Sequence, residues 1–250
     1  MNPSGKTALV TGGAVRVGKA ITLALARAGA NVVINYNSSA TAAEQTAAEA
    51  RALGVGALAV QANIANNQQV RAMVNAAAER FGSVDILVNS ASLWQATPFP
   101  MDDVSGWQQV ISVLINGSFY CANAVAPLML TKGEGAIVNI IDLAAFEPWP
   151  DFMAHSVGKS ALLALSRQLA LELAPTVRVN AVAPGPVLPP PDYSADMIAR
   201  TAAKTLLDRW GTPDDVAEAV LYFVRANYVT GEVLAIDGGE RFGHRKHEIG

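Results

Sequence analysis

His155 and Lys159 stand four residues apart in "FMAHSVGKSALLALSRQLALELAP", residues 152–175, at the head of an Ala/Leu-rich helical pattern. On a helix that spacing puts both side chains on one face. An imidazole is suited to moving protons near neutral pH, and an ammonium one turn away bears on any acid beside it. A lysine can equally be a solvated charge and a histidine an interior group, so the pair carries chemistry only if the chain builds a site around it. A second stretch points the same way. "TGGAVRVGKA", residues 11–20, is a glycine-rich turn between a strand pattern and a helix pattern. Glycine there lets backbone approach a pyrophosphate, and the helix N-terminus offers free N–H groups and partial positive charge.

The elements that must position these groups alternate along the chain. "KTALVT", "ANVVINY", "VGALAVQA", "VDILVN", "GAIVNII", "TVRVNAVA" and "EVLAID" read as strands. Helical patterns near 17–29, 39–53, 66–80 and 103–130 separate the first five, and another covers 151–174. Apolar strands joined by crossovers of that length form a parallel sheet covered on both faces. The expected fold class is α/β, a doubly wound parallel sheet of about seven strands, with residues 1–250 as one domain. The Pro-rich "APGPVLPPPDYSADM" at 183–197 is too long for a plain connection and predicts a substrate lid at about 186–208.

Composition removes several classes of function. A chain 51% hydrophobic and 16% charged is not disordered, and a net charge of -3 gives no field for gathering nucleic acid or anionic lipid. The opening "MNPSGKTALVTGG" has no apolar signal core, and no run approaches about 18 uninterrupted apolar residues, so a cytoplasmic chain with no membrane partner is expected. Cys121 is the only cysteine and lies in an apolar helical pattern, which excludes a disulfide within the chain and leaves no cysteine set for a metal.

Taken together, "TGGAVRVG", "NSAS" after the fourth strand, Asn116 in the next helix, Lys159, "NAVAPGPV" and "VTGEVLAIDGG" resemble the short-chain dehydrogenase/reductase family along nearly the whole chain. The resemblance implies a Rossmann-like domain, a nicotinamide dinucleotide cofactor, and hydride transfer to or from a carbonyl, alcohol or related double bond of a small-molecule substrate. It assigns to the cofactor Gly12, Arg16, Val17 and Gly18 of the turn, then Asn63, Asn89, Ala91 and Ser92, and finally Lys159, Pro184, Gly185 and Val187. Asn116 and Lys159 are implied to serve catalysis as well.

The chain departs from the commoner family pattern at three places. Arg16 stands where the turn usually has glycine, Asp142 stands where a serine usually precedes the catalytic tyrosine by 13 residues, and His155 replaces that tyrosine. The first two changes look like pteridine reductases. In that subgroup the arginine touches cofactor phosphate and substrate, the aspartate joins the active site, and an aromatic ring after the fourth strand covers the pterin. Here that segment reads "NSASLW" and offers Trp94. The substrate contacts so implied are Arg16, Ser92, Trp94, Asp142 and His155, with His155, Asp142 or ordered water supplying the proton. The expected function is an NADPH-dependent reductase acting on a small, flat, pteridine-like compound. A 3-oxoacyl or other carbonyl reductase is the alternative, and a cofactor-binding protein with weakened catalysis is the alternative of another class.

Cofactor choice is read at the end of the second strand, where a carboxylate would bond the ribose hydroxyls and repel a 2′-phosphate. The chain has "INYNSSATAAEQ" there, so Asn35, Asn37, Ser38 and Ser39 can donate to a phosphate and NADP(H) is expected over NAD(H). The patterns at 103–130 and 151–174 are apolar on more than the stripe a sheet would cover, which predicts a homotetramer.

Overall fold

The structure, a computed structural model, describes residues 1–243. Seven strands, β1 Thr7–Thr11, β2 Asn31–Tyr36, β3 Ala57–Gln61, β4 Ile86–Asn89, β5 Gly135–Ile140, β6 Val177–Pro184 and β7 Val233–Ile236, join one sheet in the order β3-β2-β1-β4-β5-β6-β7. Every pairing is parallel. β1, β4 and β5 are buried at every residue, as strands covered on both faces must be. The doubly wound fold expected from the alternation is the one observed, and the chain changes direction across the sheet where it passes from β3 to β4.

Side chains leave a strand alternately to its two faces, and β1 shows the consequence. Ala8 and Val10 enter one core with Ile21, Leu25, Val216, Val220 and Phe223, whereas Leu9 enters the other with Met73, Leu87, Cys121, Val125 and Met129. The first layer is supplied by α1 Arg16–Arg27, α2 Ala40–Ala52 and α8 Pro213–Arg225. On the opposite face lie α3 Asn67–Phe81 and α5 Ser118–Lys132, followed in sequence by α6 Met153–Glu172.

The long helix expected over 103–130 is composite: α4 Ser105–Ile111 passes through a π-turn, Ser112–Gly117, into α5. The whole run Ser105–Lys132 is long and apolar enough to cross a membrane by length and composition, although polar residues interrupt it at the sequence level. α5 packs Cys121, Val125 and Met129 against the sheet. The hydrophobic pattern did not single out α8, yet its start is plainly signalled by "TPDD": Thr212 and Asp215 form a reciprocal capping box and Pro213 takes the first turn. The segment expected to be a lid contains α7 Ala195–Ala202, which has no buried residue.

Candidate active site

The glycine-rich turn leaves the carboxyl end of β1 beside the segment that leaves β4. Thr11 Oγ1 holds the two together by accepting from the Ser90 N–H at 3.0 Å and the Ala91 N–H at 3.1 Å. Gly12 has φ 62°, and a Cβ there would sit 3.0 Å from Ala91 Cα. A Cβ on Gly18 would lie 2.1 Å from the Gly12 carbonyl oxygen, so only glycine allows α1 to start this close to the turn. α1 has no side-chain N-cap bond, which leaves its first N–H groups for a ligand. Arg16 has φ 52°, the left-handed region in which glycine is at ease, and its Nη2 donates to the Leu188 carbonyl, after β6, at 3.3 Å.

At the end of β2, Asn35 departs from the phosphate-donor role expected of it. Its Nδ2 donates to the Ala62 carbonyl at 2.9 Å, its Oδ1 accepts from Gly12 N–H at 3.3 Å, and the residue is 2% exposed. It ties the turn to β3, and its amide is spent on that task. Asn37, Ser38 and Ser39 remain along the cleft, and Ser39 makes no side-chain cap bond to α2. The carboxylates of the cleft, Asp142, Glu147, Asp192 and Glu240, all follow β5 in the chain, and Glu44 pairs with Arg51 at 3.9 Å instead.

The ionisable centre is built where β5 ends and α6 begins. Asp142 caps the short 3₁₀ turn Leu143–Ala145, accepting from the Ala144 N–H at 3.0 Å. Its Oδ2 lies 2.6 Å from His155 Nε2 and 4.0 Å from Lys159 Nζ. Lys159 Nζ also donates to the Ile140 carbonyl at 2.9 Å. Burial pushes the Asp142 carboxyl up, but Lys159, the His155 bond and the Ala144 N–H together outweigh it and hold the group below the ordinary carboxyl value. Lys159 is lowered by burial, with Asp142 opposing.

His155 is 2% exposed, and its Nδ1 faces the Leu93 carbonyl at 3.4 Å. The Trp149 ring lies nearly parallel to the imidazole, at 12° and 5.9 Å between centroids, while Trp94 meets it edge-on at 76° and 5.0 Å. Trp94 packs in turn on Phe152 at 4.4 Å and leaves 57% of its surface exposed. Trp149 and Phe152 were not singled out in the sequence. The Pro-flanked "EPWPDF" between Asp142 and His155 was the signal available.

One cleft of about 1540 Å³ gathers all of the sequence-predicted residues except Asn89 and Asn116. Asn116 is exposed on the π-turn and does not line the cleft, and the buried residues of that turn are Leu114 and Gly117. The expected catalytic asparagine is therefore not delivered to the site. Asn89 is a strut in the sheet: its Nδ2 donates to Asn139 Oδ1 at 2.8 Å, and Asn139 donates to Ser166 Oγ at 2.8 Å. His244 and His247 lie outside the described residues.

The chain has counterparts among known proteins. The family model described as enoyl-(acyl carrier protein) reductase matches residues 13–240. The chain belongs to the short-chain dehydrogenase/reductase family. Among relatives within that family, a 3-oxoacyl-[acyl-carrier-protein] reductase of Synechocystis is 37% identical over 94% of this chain and 96% of its own length. The short-chain reductase fold also matches solved structures. FolM alternative dihydrofolate reductase 1 from Brucella suis, in complex with NADP, superimposes with a TM-score of 0.91 at 34% identity, covering 100% of both chains. A blue fluorescent protein from a metagenomic library, in complex with NADPH, gives 0.88 at 32% identity over 96% of this chain and 99% of that one.

Proposed function

We propose that this short-chain reductase uses NADPH to reduce a small, flat, pteridine-like ring. The observation that carries the reading is the wall of Trp94, Trp149 and Phe152 standing beside Asp142 and His155. An aromatic face of that size suits a planar heterocycle better than a flexible chain.

The residues present fit a dinucleotide. The closeness of Gly18 to Gly12 and the uncapped start of α1 make room and donors for a pyrophosphate, while Asn37, Ser38 and Ser39 offer donors without a carboxylate for a 2′-phosphate. Lys159 is positioned to hold the nicotinamide ribose. When bound, the cofactor supplies a hydride. Asp142 and His155 hold the proton that the reduced substrate takes up, at the shared contact between Oδ2 and Nε2, and Lys159 steadies the Asp142 charge from 4.0 Å. Trp94 serves as a platform for the ring, with Arg16 and Ser92 at the same cleft.

Reduction of a 3-oxoacyl thioester or another carbonyl is the second reading, and the names of the relatives back it more strongly than the first: both the family description and the Synechocystis protein refer to acyl-carrier-protein-linked substrates. NADPH consumption measured side by side with a dihydropteridine and a 3-oxoacyl ester separates the two. A higher kcat/KM with the dihydropteridine is expected, and the reverse order would transfer the assignment to the carbonyl reading. Consumption with neither, in a protein that binds NADPH, would leave a cofactor-binding role.

We also infer a homotetramer, supported by the apolar side chains that α5 and α6 leave exposed: Phe119 and Leu130 on the first, Val157 and Leu171 on the second. Light scattering should give a mass several times the 26.1 kDa of the chain, and a monomer at micromolar concentration would overturn it.

A further inference from the structure

Glu240 opens the 3₁₀ turn Glu240–Phe242 that follows β7, and it lines the cleft with Glu147 and with Lys204. Its Oε2 lies over Gly185 at the end of β6, only 3.2 Å from where a Cβ on that glycine would sit. Glu147, two residues before Trp149, is close enough for its charge to be felt at Glu240.

Of the cleft's four carboxylates, Glu147 and Asp192 are exposed to water and Asp142 is bonded to His155, whereas Glu240 is partly buried without a bond to any described residue. Glu44, Glu49, Glu134 and Asp196 each pair with a cation, and Asp237 accepts from the Gly239 and Arg241 N–H groups. Among the described residues the Glu240 side chain makes no hydrogen bond and no ion pair. It is partly buried, and burial pushes its carboxyl above the ordinary value; Lys204 opposes this, while Asp237 and Glu147 add to it. A carboxylate drawn from water beside two like charges is costly until something brings it donors.

We propose that Glu240 is the specificity-determining acceptor of the cleft, taking two adjacent N–H donors from one edge of a flat ring, where a ring N–H stands beside an exocyclic amino group. Two carboxylate oxygens match two parallel donors, and such a charge-assisted pair is stronger than neutral hydrogen bonds. The inference rests on the proposed function and deepens it, since it names the edge by which a pteridine-like ring is oriented. A 3-oxoacyl chain has no such edge and leaves the carboxylate unserved.

The test compares 2-amino-4-oxopteridine with 4-oxopteridine by calorimetric titration into the full chain loaded with NADPH, for wild type and Glu240→Gln. The wild type should prefer the amino compound by about tenfold or more, and Glu240→Gln should lose most of that preference. Gln is isosteric, and removing an unpaired charge should leave the apo Tm at pH 7 unchanged or raised. The proposal is overturned if the wild type shows no preference, if Glu240→Gln keeps it, or if the variant's Tm falls along with the preference, which would make Glu240 a support of the fold. A dihydropteridine turned over without a Glu240-dependent preference would sink this inference and leave the proposed function standing. A Glu240-dependent preference without turnover would do the opposite.

Discussion

Asp142 carries the charge around which the site is arranged. Burial alone would keep it protonated to higher pH, yet Lys159, His155 and the Ala144 N–H hold it below the ordinary value of 3.8. A carboxyl with a depressed folded pKa contributes stability that is complete above its unfolded value and is lost as pH falls through the folded one. The wild type should therefore exceed Asp142→Asn in Tm at pH 6, with the gap closing as the pH is taken below 3.8; a gap independent of pH would mean the carboxylate is not the stabilising form. His155→Phe keeps a ring against Trp149 but removes the donor from Asp142 Oδ2, so kcat should drop by ~10²-fold or more if the pair moves the proton. Trp94→Ala should weaken a heteroaromatic ligand by ~0.5–1.5 kcal/mol beyond the lost contact area, with NADPH affinity nearly unchanged, both read from titrations. At this scale the sequence was informative where spacing decides proximity. Asp142, His155 and Lys159 could be placed together because a strand end and one helical turn fix where they go. Asn116 could not be placed, because the π-turn of Ser112–Gly117 changes which residues face the cleft and a hydrophobic pattern does not reveal extra winding. Asn35 and Asn89 were recognised as polar groups near the site, but only the fold shows that their amides are taken by Ala62 and Asn139.

At the level of elements, the junction of β1 and α1 tolerates the least change. Gly18→Ala would force a methyl to within 2.1 Å of the Gly12 carbonyl oxygen, so α1 must move off the turn. NADPH binding should be lost at concentrations that saturate the wild type, measured by titration, while far-UV circular dichroism stays close to the wild-type spectrum. α5 supplies a different check. Burial pushes the Cys121 thiol up to about 12, and the side chain is fully covered, so thiol reagents should leave it unmodified in the native protein and label it on unfolding. Labelling at the rate of a free thiol would show that α5 does not stay docked. The seven strands were legible because strands buried on both faces read as unbroken apolar runs between turns. α8 was harder to see: its pattern sits behind the Pro-rich segment, and only its capping box announces it.

Across the whole molecule, β1 lies inside a sheet, between neighbours that come from distant parts of the chain. β2 pairs with one edge of β1 within residues 31–34, but the other edge waits for β4, at residues 86–89. Until β4 is made, a strand with all five residues destined for the interior presents an open edge. The order of synthesis thus exposes the region that will later carry the glycine-rich turn, and it does so for most of the first third of translation. A fragment that stops at residue 84 should sediment with aggregated protein, and a soluble, helical fragment of that length would show that β1, β2 and β3 can shelter their own edge. The sheet order that places the candidate catalytic groups beside one another in the finished protein is, for the nascent chain, an interval of adhesiveness that a chaperone would have to cover.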